Sequence, residues 1–589
     1  MSILCGFCLQ MIHQSCREYF DTYGGFINAL LRGKRSFTGL ASVISNGAIT
    51  LLQLSTFPLQ RADSPLVPPP PLHLPCVSLP HFLLLSTPAP PTKPAFVDAV
   101  SGDSLSYAEL HSLTAAAASA LSSAGLRHGD LALLVSPNSI HYPVLALAVL
   151  SLGAVLSTAN PLLTHLELQT QVRDSEPVLI IAAVELVPKL DGILPGCSLI
   201  PIEPFLASLP REVDPPLPDV GVGPGHPATV MYSSGTTGKS KGVVSTHGNL
   251  TATASLLRHV WGGEARRDEV YACVVPLSHM FGFSVLVCGT LASGATTVVL
   301  RRYAVGELLT ALEQHRVTRL PAVPPVVVQM ARSCRAGLAG GRGLRSLKEV
   351  ICSGAPIARE QLERFVECFP GTTVSQCYGL TETSGPITVC DGVKGRFHVS
   401  IGRLIPTMEA RIADVRTGKA LPPYRHGELC VRGPLVMQGY MKNKEATSVA
   451  IDREGWLHTG DLCYIDMRGL VYVVDRIKEL IKYKAYQVSP AELEEVLSTH
   501  PDVLDVAVTW YPDEEAGEIP VACVVRKAGS NVKEDDIFAF MDNKVAPYKK
   551  IRKVAFVEFI PRSPSGKILR RHLKAAAVRR HRREISARL

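Results

Sequence analysis

The segment Tyr232-Ser233-Ser234-Gly235-Thr236-Thr237-Gly238-Lys239-Ser240-Lys241-Gly242 gathers glycines, hydroxyl side chains and two lysines in one short run. Glycine adopts dihedrals closed to other residues and lets the backbone approach a ligand; hydroxyls and amides donate to phosphate oxygens, and lysine adds positive charge. The chemistry this composition serves is the holding of nucleotide phosphates. A Gly/Ser/Thr run can also be a plain solvated loop, but here Ala228 to Tyr232 reads as a buried strand and Gly242 to Val244 as another. Ser233-x-x-x-x-Gly238-Lys239-Ser240 is a near miss to the P-loop pattern. The first glycine is absent, and a P-loop needs a helix beginning at its lysine. β-branched residues and Gly242 follow instead, with the next helix expected near Asn249.

The full string resembles the phosphate-binding signature of the acyl-adenylate-forming enzymes, a family of acyl-CoA synthetases, peptide-synthetase adenylation domains and beetle luciferases. The resemblance spans about 76 to 575. It implies that a carboxylate attacks the α-phosphate of ATP, giving acyl-AMP and pyrophosphate, after which the acyl group passes to coenzyme A. Two anions must meet, so the site has to neutralise and align charge. By resemblance, Ser233, Ser234, Gly235, Thr236, Thr237 and Lys241 hold the β- and γ-phosphates. Gln376-Cys377-Tyr378-Gly379-Leu380-Thr381-Glu382 matches the adenine and magnesium motif: Tyr378 stacks on adenine, Thr381 meets the α-phosphate and Glu382 holds Mg²⁺, a hard cation suited to a carboxylate. Gln376 and Cys377 line the nucleotide and the acyl group, Cys377 standing where relatives often have glycine. In Trp456-Leu457-His458-Thr459-Gly460-Asp461 the aspartate accepts both ribose hydroxyls. In Asp475-Arg476-Ile477-Lys478, Arg476 turns toward ribose and phosphate and Lys478 is the hinge pivot. Lys482 and Gln487 approach the acyl-adenylate, while Lys484 and Ala485 border the pantetheine tunnel, with alanine in place of the family's glycine. Pro561 to Ile568 resembles the loop carrying the adenylation lysine, here Lys567.

Within the family the likeness is to plant 4-coumarate:CoA ligases and their ligase-like relatives. Pro276 to Phe283 matches the segment whose histidine, His279, and following residues form the acyl pocket. Hydroxycinnamate ligases carry a tyrosine where Phe281 stands, and the loop Ser353-Gly354-Ala355-Pro356-Ile357 is shorter than theirs, with Ala355 facing the acyl group. A pocket with fewer polar groups cannot offset desolvation of a phenol, so the expected acid is apolar: cinnamate-like, fatty or an oxylipin precursor. The resemblance leaves other acceptors open, a carrier protein or a luciferase-like oxygenation, as well as an inactive paralogue. The terminal Ala587-Arg588-Leu589 is a variant of the S-K-L peroxisomal address, which makes the peroxisomal import receptor an expected partner; without it the chain would be cytoplasmic.

These groups lie far apart in sequence, so a large scaffold must bring them together. The 589 residues suffice for several cores, with 46% hydrophobic and 19% charged residues, ordinary for a globular protein. A net charge of +8, partly concentrated in the basic tail, gives no case for nucleic acid. Fifteen scattered cysteines, often within apolar elements, read as buried free thiols, and Cys5-Gly6-Phe7-Cys8 lacks a second ligand pair for zinc. The apolar run Pro143 to Val155 falls short of the roughly 20 residues a membrane span needs, so no transmembrane segment is expected. Helices alternating with apolar strands predict an α/β fold. A large N-terminal domain of mostly parallel layered sheets (76–400) leads into a β-rich subdomain (401–474). A hinge (475–478) and a small, mobile α+β C-terminal domain with a basic tail (479–589) follow. Residues 1–75 form an extension ending in a Pro-rich linker, expected to be disordered.

Overall fold

The computed structural model describes residues 72–190, 192–193, 197–210, 216–218, 220–233, 240–261, 268–337, 344–390, 397, 399–483, 486–513, 516–542, 544–563, 566–570 and 572–573. The Cys5/Cys8 pair, the Pro-rich linker up to Pro71 and the C-terminal tripeptide lie outside them.

The alternation of helix and strand resolves into two large sheets. One has seven strands in the order Gly439–Tyr440, Lys241–Thr246, Pro227–Ser233, Val155–Ala159, Leu131–Val135, Leu179–Ala182 and Ser198–Pro201. Pairing is parallel from Pro227–Ser233 to Ser198–Pro201 and antiparallel at the other edge. The second has nine strands, with a parallel centre running from Thr373–Leu380 through Glu349–Cys352, Arg319–Ala322, Val270–Cys273 and Thr296–Val299 to Pro94–Asp98. Antiparallel strands close both of its ends. Strands buried on both faces explain the unbroken apolar runs, such as Leu131–Val135.

Local chemistry sets the helix ends. Ser106 caps Tyr107–Ser123 in a reciprocal capping box with Glu109. The run after Pro143 is a core helix, Tyr142–Ser151, with every residue buried, followed by a turn and the strand Val155–Ala159. No helix among the described residues is long and apolar enough to cross a membrane. Cys273, Cys288, Cys352 and Cys523 are buried free thiols, as expected for cysteines inside apolar elements.

A four-stranded antiparallel sheet follows, Glu409–Ala413, Gly427–Arg432, Leu457–Ile465 and Val471–Arg476, over its own apolar cluster. The small C-terminal domain has a separate core around Ile481, Leu493, Val508, Val524 and Ile537. Its sheet is built from Ile481–Tyr483, Tyr486–Val488, Val503–Asp513, Gly517–Arg526 and Lys553–Phe556. The sequence pattern at Ser489 to Glu492 suggests a full capping box, but only half of one forms. Ser489 Oγ accepts the Glu492 amide at 3.3 Å, whereas the Glu492 carboxylate is taken by Lys549 at 2.6 Å. Asp475 supplies the rest: its side chain accepts Ser489 Oγ at 2.5 Å and the Ala491 amide at 3.0 Å, capping Pro490–Ser498 from the last strand of the four-stranded sheet.

Candidate active site

Strands Pro227–Ser233 and Lys241–Thr246 pair antiparallel with Ser233 opposite Lys241, so these two residues of the hydroxyl-rich segment stand side by side. A strand and not a helix follows the lysines, as the departure from the P-loop pattern implies; the helix His247–Val260 comes later. Ser234, Gly235, Thr236 and Thr237 lie outside the described residues. Lys241 Nζ stands 4.8 Å from the centre of the Tyr440 ring, and the Tyr440 hydroxyl donates to Glu382 Oε1 at 2.9 Å. Tyr440 thus joins this strand pair to the carboxylate expected to hold the cation. Sequence reading missed it, because it comes from a two-residue edge strand with no motif of its own.

Thr373–Leu380 carries Gln376, Cys377 and Tyr378 to the end of the nine-stranded sheet, and a short turn, Thr381–Thr383, presents half-buried Thr381 and Glu382. Facing it across the molecule is Asp461, 2% exposed. Both its carboxylate oxygens are engaged: the Tyr378 hydroxyl donates to Oδ2 at 2.5 Å, and Arg476 Nε lies 2.5 Å from Oδ1. Burial raises the Asp461 pKa above the usual carboxylate range despite Arg476, and raises the Tyr378 phenol as well, with Asp461 adding to that shift. Burial works most strongly against the charge of Arg476, but Asp461, Tyr378, Glu479 and Glu382 together more than offset it. Lys567 sits in the same field. Its pKa is lowered by burial and by Arg476, and pulled back by Glu479 and Asp461. The structure therefore gathers Tyr378, Asp461, Arg476 and Lys567, from four separate stretches of chain, into one electrostatic cluster.

The loop of Lys567 is seated against the large domain. Gly566 has φ +82°, and a Cβ there would stand 2.7 Å from Pro325 Cδ and 3.0 Å from its Cγ, at the start of the helix Pro324–Arg335. Behind Asp461, Glu428 braces its strand. Glu428 Oε1 accepts the Gly460 amide at 3.0 Å and Oε2 lies 2.8 Å from His458 Nδ1. Cys430 Sγ is 3.5 Å from the same ring nitrogen. This Glu, Cys and His group has the ligand types of a metal site, but Arg411 also reaches Cys430, and a guanidinium beside the thiol opposes a second cation. The cluster serves to position Asp461.

In the segment expected to form the acyl pocket, His279 Nδ1 accepts the Phe281 amide at 3.4 Å and caps the short helix Met280–Phe283. Gly282 is obligatory, since a Cβ would lie 2.2 Å from the Pro276 carbonyl oxygen. His279 is exposed, yet the protein packed around it desolvates the ring enough to lower its pKa. Cys377 is buried and its thiol is pushed up to about 12 by desolvation. Gln376 Nε2 donates to the Ser400 carbonyl at 3.4 Å. Phe281 and Ala355 are half-buried. Lys478 and Lys482 are exposed; Lys482 pairs in register with Gln487, and its amide donates to Glu518 at 2.7 Å. Lys484 and Ala485 lie outside the described residues.

A family model described as "AMP-binding enzyme" matches residues 86–441, and one for its C-terminal domain matches 492–567. The chain belongs to the AMP-binding enzyme family. Over 568 residues it is 50% identical to 4-coumarate–CoA ligase-like 8 of Oryza sativa subsp. japonica, covering 85% of this chain and 93% of that one. It is 42% identical over 531 residues to the peroxisomal OPC-8:0-CoA ligase 1 of Arabidopsis thaliana, covering 88% and 96%. Among solved structures, o-succinylbenzoate-CoA synthetase (MenE) of Bacillus subtilis with ATP and magnesium ion superposes with a TM-score of 0.72 at 28% identity, covering 84% and 99%. This AMP-binding enzyme is an AMP-forming acyl-CoA ligase of the 4-coumarate–CoA ligase-like group, and its large mixed-sheet domain and small C-terminal domain are those of the adenylate-forming fold.

Proposed function

We propose that this ligase activates an apolar acid, of phenylpropanoid or fatty, oxylipin-like type, through the cluster around Asp461 and Lys567. The observation that carries the reading is the convergence of Tyr378, Asp461, Arg476 and Lys567 across the two domains. In this reading the domain boundaries expected from the sequence hold, and residues 475–478 act as the hinge about which the small domain turns. Adenylation calls for Lys567 near the nucleotide; its place in the field of Asp461 and Arg476, with Lys482 exposed, supports that arrangement.

Asp461 accepts the ribose hydroxyls, Tyr378 stacks on adenine, and the hydroxyl-rich segment with Lys241 holds the outer phosphates. Lys567 waits in an environment that disfavours its charge. Two anions, the α-phosphate and the substrate carboxylate, relieve that penalty when they arrive, so the lysine stabilises charge that builds as they join. Glu382, with Thr381 beside it, suits a hard cation; bound there, Mg²⁺ would neutralise phosphate charge. Lys482 and Gln487 act after the turn, and Lys484 and Ala485 border the thiol arm of coenzyme A.

The acid follows from the groups assigned to its pocket. Phe281 lacks a hydroxyl, Ala355 is small, the Cys377 thiol stays protonated, and desolvation favours neutral His279. None offers a charge, and a polar substituent would enter at a desolvation cost. The OPC-8:0-CoA ligase name of the Arabidopsis relative agrees with a fatty, oxylipin-type acid and, with Ala587-Arg588-Leu589, supports a peroxisomal location. Pyrophosphate release with and without coenzyme A, over a panel of 4-coumarate, cinnamate and medium-chain fatty acids, tests the reading. It predicts turnover of the apolar acids with thioester formation; a strong preference for 4-coumarate overturns the assignment. Deleting Leu589 from an N-terminally fluorescent fusion should disperse the signal from peroxisomes.

A further inference from the structure

The helices Pro324–Arg335 and Arg359–Cys368 meet at their C-terminal ends, away from the nucleotide cluster. Arg335 pairs with Glu367 at 3.0 Å, and the neighbouring positions, Cys334 and Cys368, form a second contact. Cys334 Sγ lies 3.8 Å from the Cys368 carbonyl oxygen, and Cys368 Sγ lies 3.6 Å from the Ala331 carbonyl oxygen, one turn before Cys334. The two thiols lie close enough for each to perturb the ionisation of the other. Both keep solvent-accessible surface. Among the described cysteines only Cys76 and Cys197 share that property, the remainder being buried.

We propose that Cys334 and Cys368 are a redox modification site, oxidised by a hydroperoxide to a disulfide that staples the two helices. The steps balance. One thiol, as thiolate, attacks the peroxide O–O bond, becoming a sulfenic acid and releasing the oxidant's second oxygen as water or alcohol. The other sulfur attacks that sulfenic sulfur, forming S–S and expelling water. The pair loses two electrons and two hydrogens, and the hydroperoxide takes them up. Burial and the adjacent thiol hold Cys334 above the ordinary thiol range, with Arg335 opposing, so little thiolate is present at neutral pH. Proximity of the second sulfur outcompetes further oxidation of the first.

The loop closed by this bond contains the strand Glu349–Cys352 and the segment Ser353 to Ile357. The first of the stapled helices is the one on which Gly566 is seated. The staple therefore restrains the scaffold of the acyl side without touching a reacting group, and by closing a loop it raises stability chiefly through the unfolded state.

The test treats the full chain with hydrogen peroxide, blocks remaining thiols with an alkylating agent and maps the digested peptides. The expected product joins the Cys334 and Cys368 peptides, is lighter by two hydrogens, and is cleaved by dithiothreitol. The oxidised protein should melt on the order of a few degrees higher than the reduced one, and Cys334→Ser and Cys368→Ser should each abolish that difference while keeping pyrophosphate release. Recovery of both thiols as alkylated peptides, of either as sulfinic acid, or of a disulfide with another cysteine overturns the proposal. So does an equal melting temperature in the oxidised and reduced wild-type protein.

Discussion

Replacing Gly566 by alanine should slow adenylation far more than thioester transfer. The new methyl would stand 2.7 Å from Pro325 Cδ, whereas carbon atoms settle about 3.5–4.0 Å apart. A proline ring at a helix start cannot swing aside, so the loop retreats by about 1 Å and takes the adjacent Lys567 with it. A misplacement of that size in a positioned catalytic group costs up to about 100-fold in rate. The positive φ adds about 1 kcal/mol of strain in any orientation of the small domain, whereas the clash exists only while the loop is seated on Pro325. Two assays separate the effects. Pyrophosphate release from ATP and acid without coenzyme A should fall about 10- to 100-fold. Thioester formation from supplied acyl-AMP and coenzyme A should change by less than about threefold, with a small drop in Tm from the strain. Equal loss in both assays, or undiminished pyrophosphate release, would refute the reasoning.

Other expectations follow from the same geometry. Lys567→Ala should abolish pyrophosphate release yet leave thioester formation from acyl-AMP; loss of both would count against its assigned role. Tyr378→Phe removes a donor to a buried carboxylate, a bond to a charged group worth about 1.5–3 kcal/mol, so Tm should fall by a few degrees, and an unchanged Tm would contradict the bond to Asp461. Buried His247 has its pKa lowered from 6.5 to about 4 by desolvation, with His226 and His128 adding to it. The unfolded chain binds its proton first, so this contribution to stability is complete above pH 6.5 and is lost as pH falls toward 4. His247→Asn should flatten the fall of Tm across that window, and an unaltered slope would exclude His247 as its source.

Much of the scaffold was legible because local rules and global architecture agree. Buried strands announce themselves as apolar runs: Ala228 to Tyr232 falls inside the strand Pro227–Ser233 and Gly242 to Val244 inside Lys241–Thr246, each longer at its ends by one or two residues. The strand pair around the phosphate segment was readable from β-branched residues where a P-loop requires a helix. Side chains acting across the fold were not. Tyr440 and Pro325 carry no periodic or motif signal, and each matters only through a neighbour distant in sequence. Glu492 shows the opposite failure: a local capping pattern yields to a tertiary partner, Lys549, because a lysine ammonium competes better for its carboxylate than a backbone amide does.

Asp475 and Arg476 are consecutive on an extended strand, so their side chains leave in opposite directions. One caps the first helix of the small domain; the other grips the carboxylate at the floor of the nucleotide cluster. A single peptide unit thus separates a sensor of what occupies Asp461 from the anchor that sets where the small domain stands. Any turn at the neighbouring pivot must either carry Asp475 along or leave a helix end uncapped, and in the first case the grip on Asp461 is strained by the same movement. If the proposed hinge turns there, release of nucleotide contacts and reorientation of the small domain become, by this adjacency, two readings of one displacement.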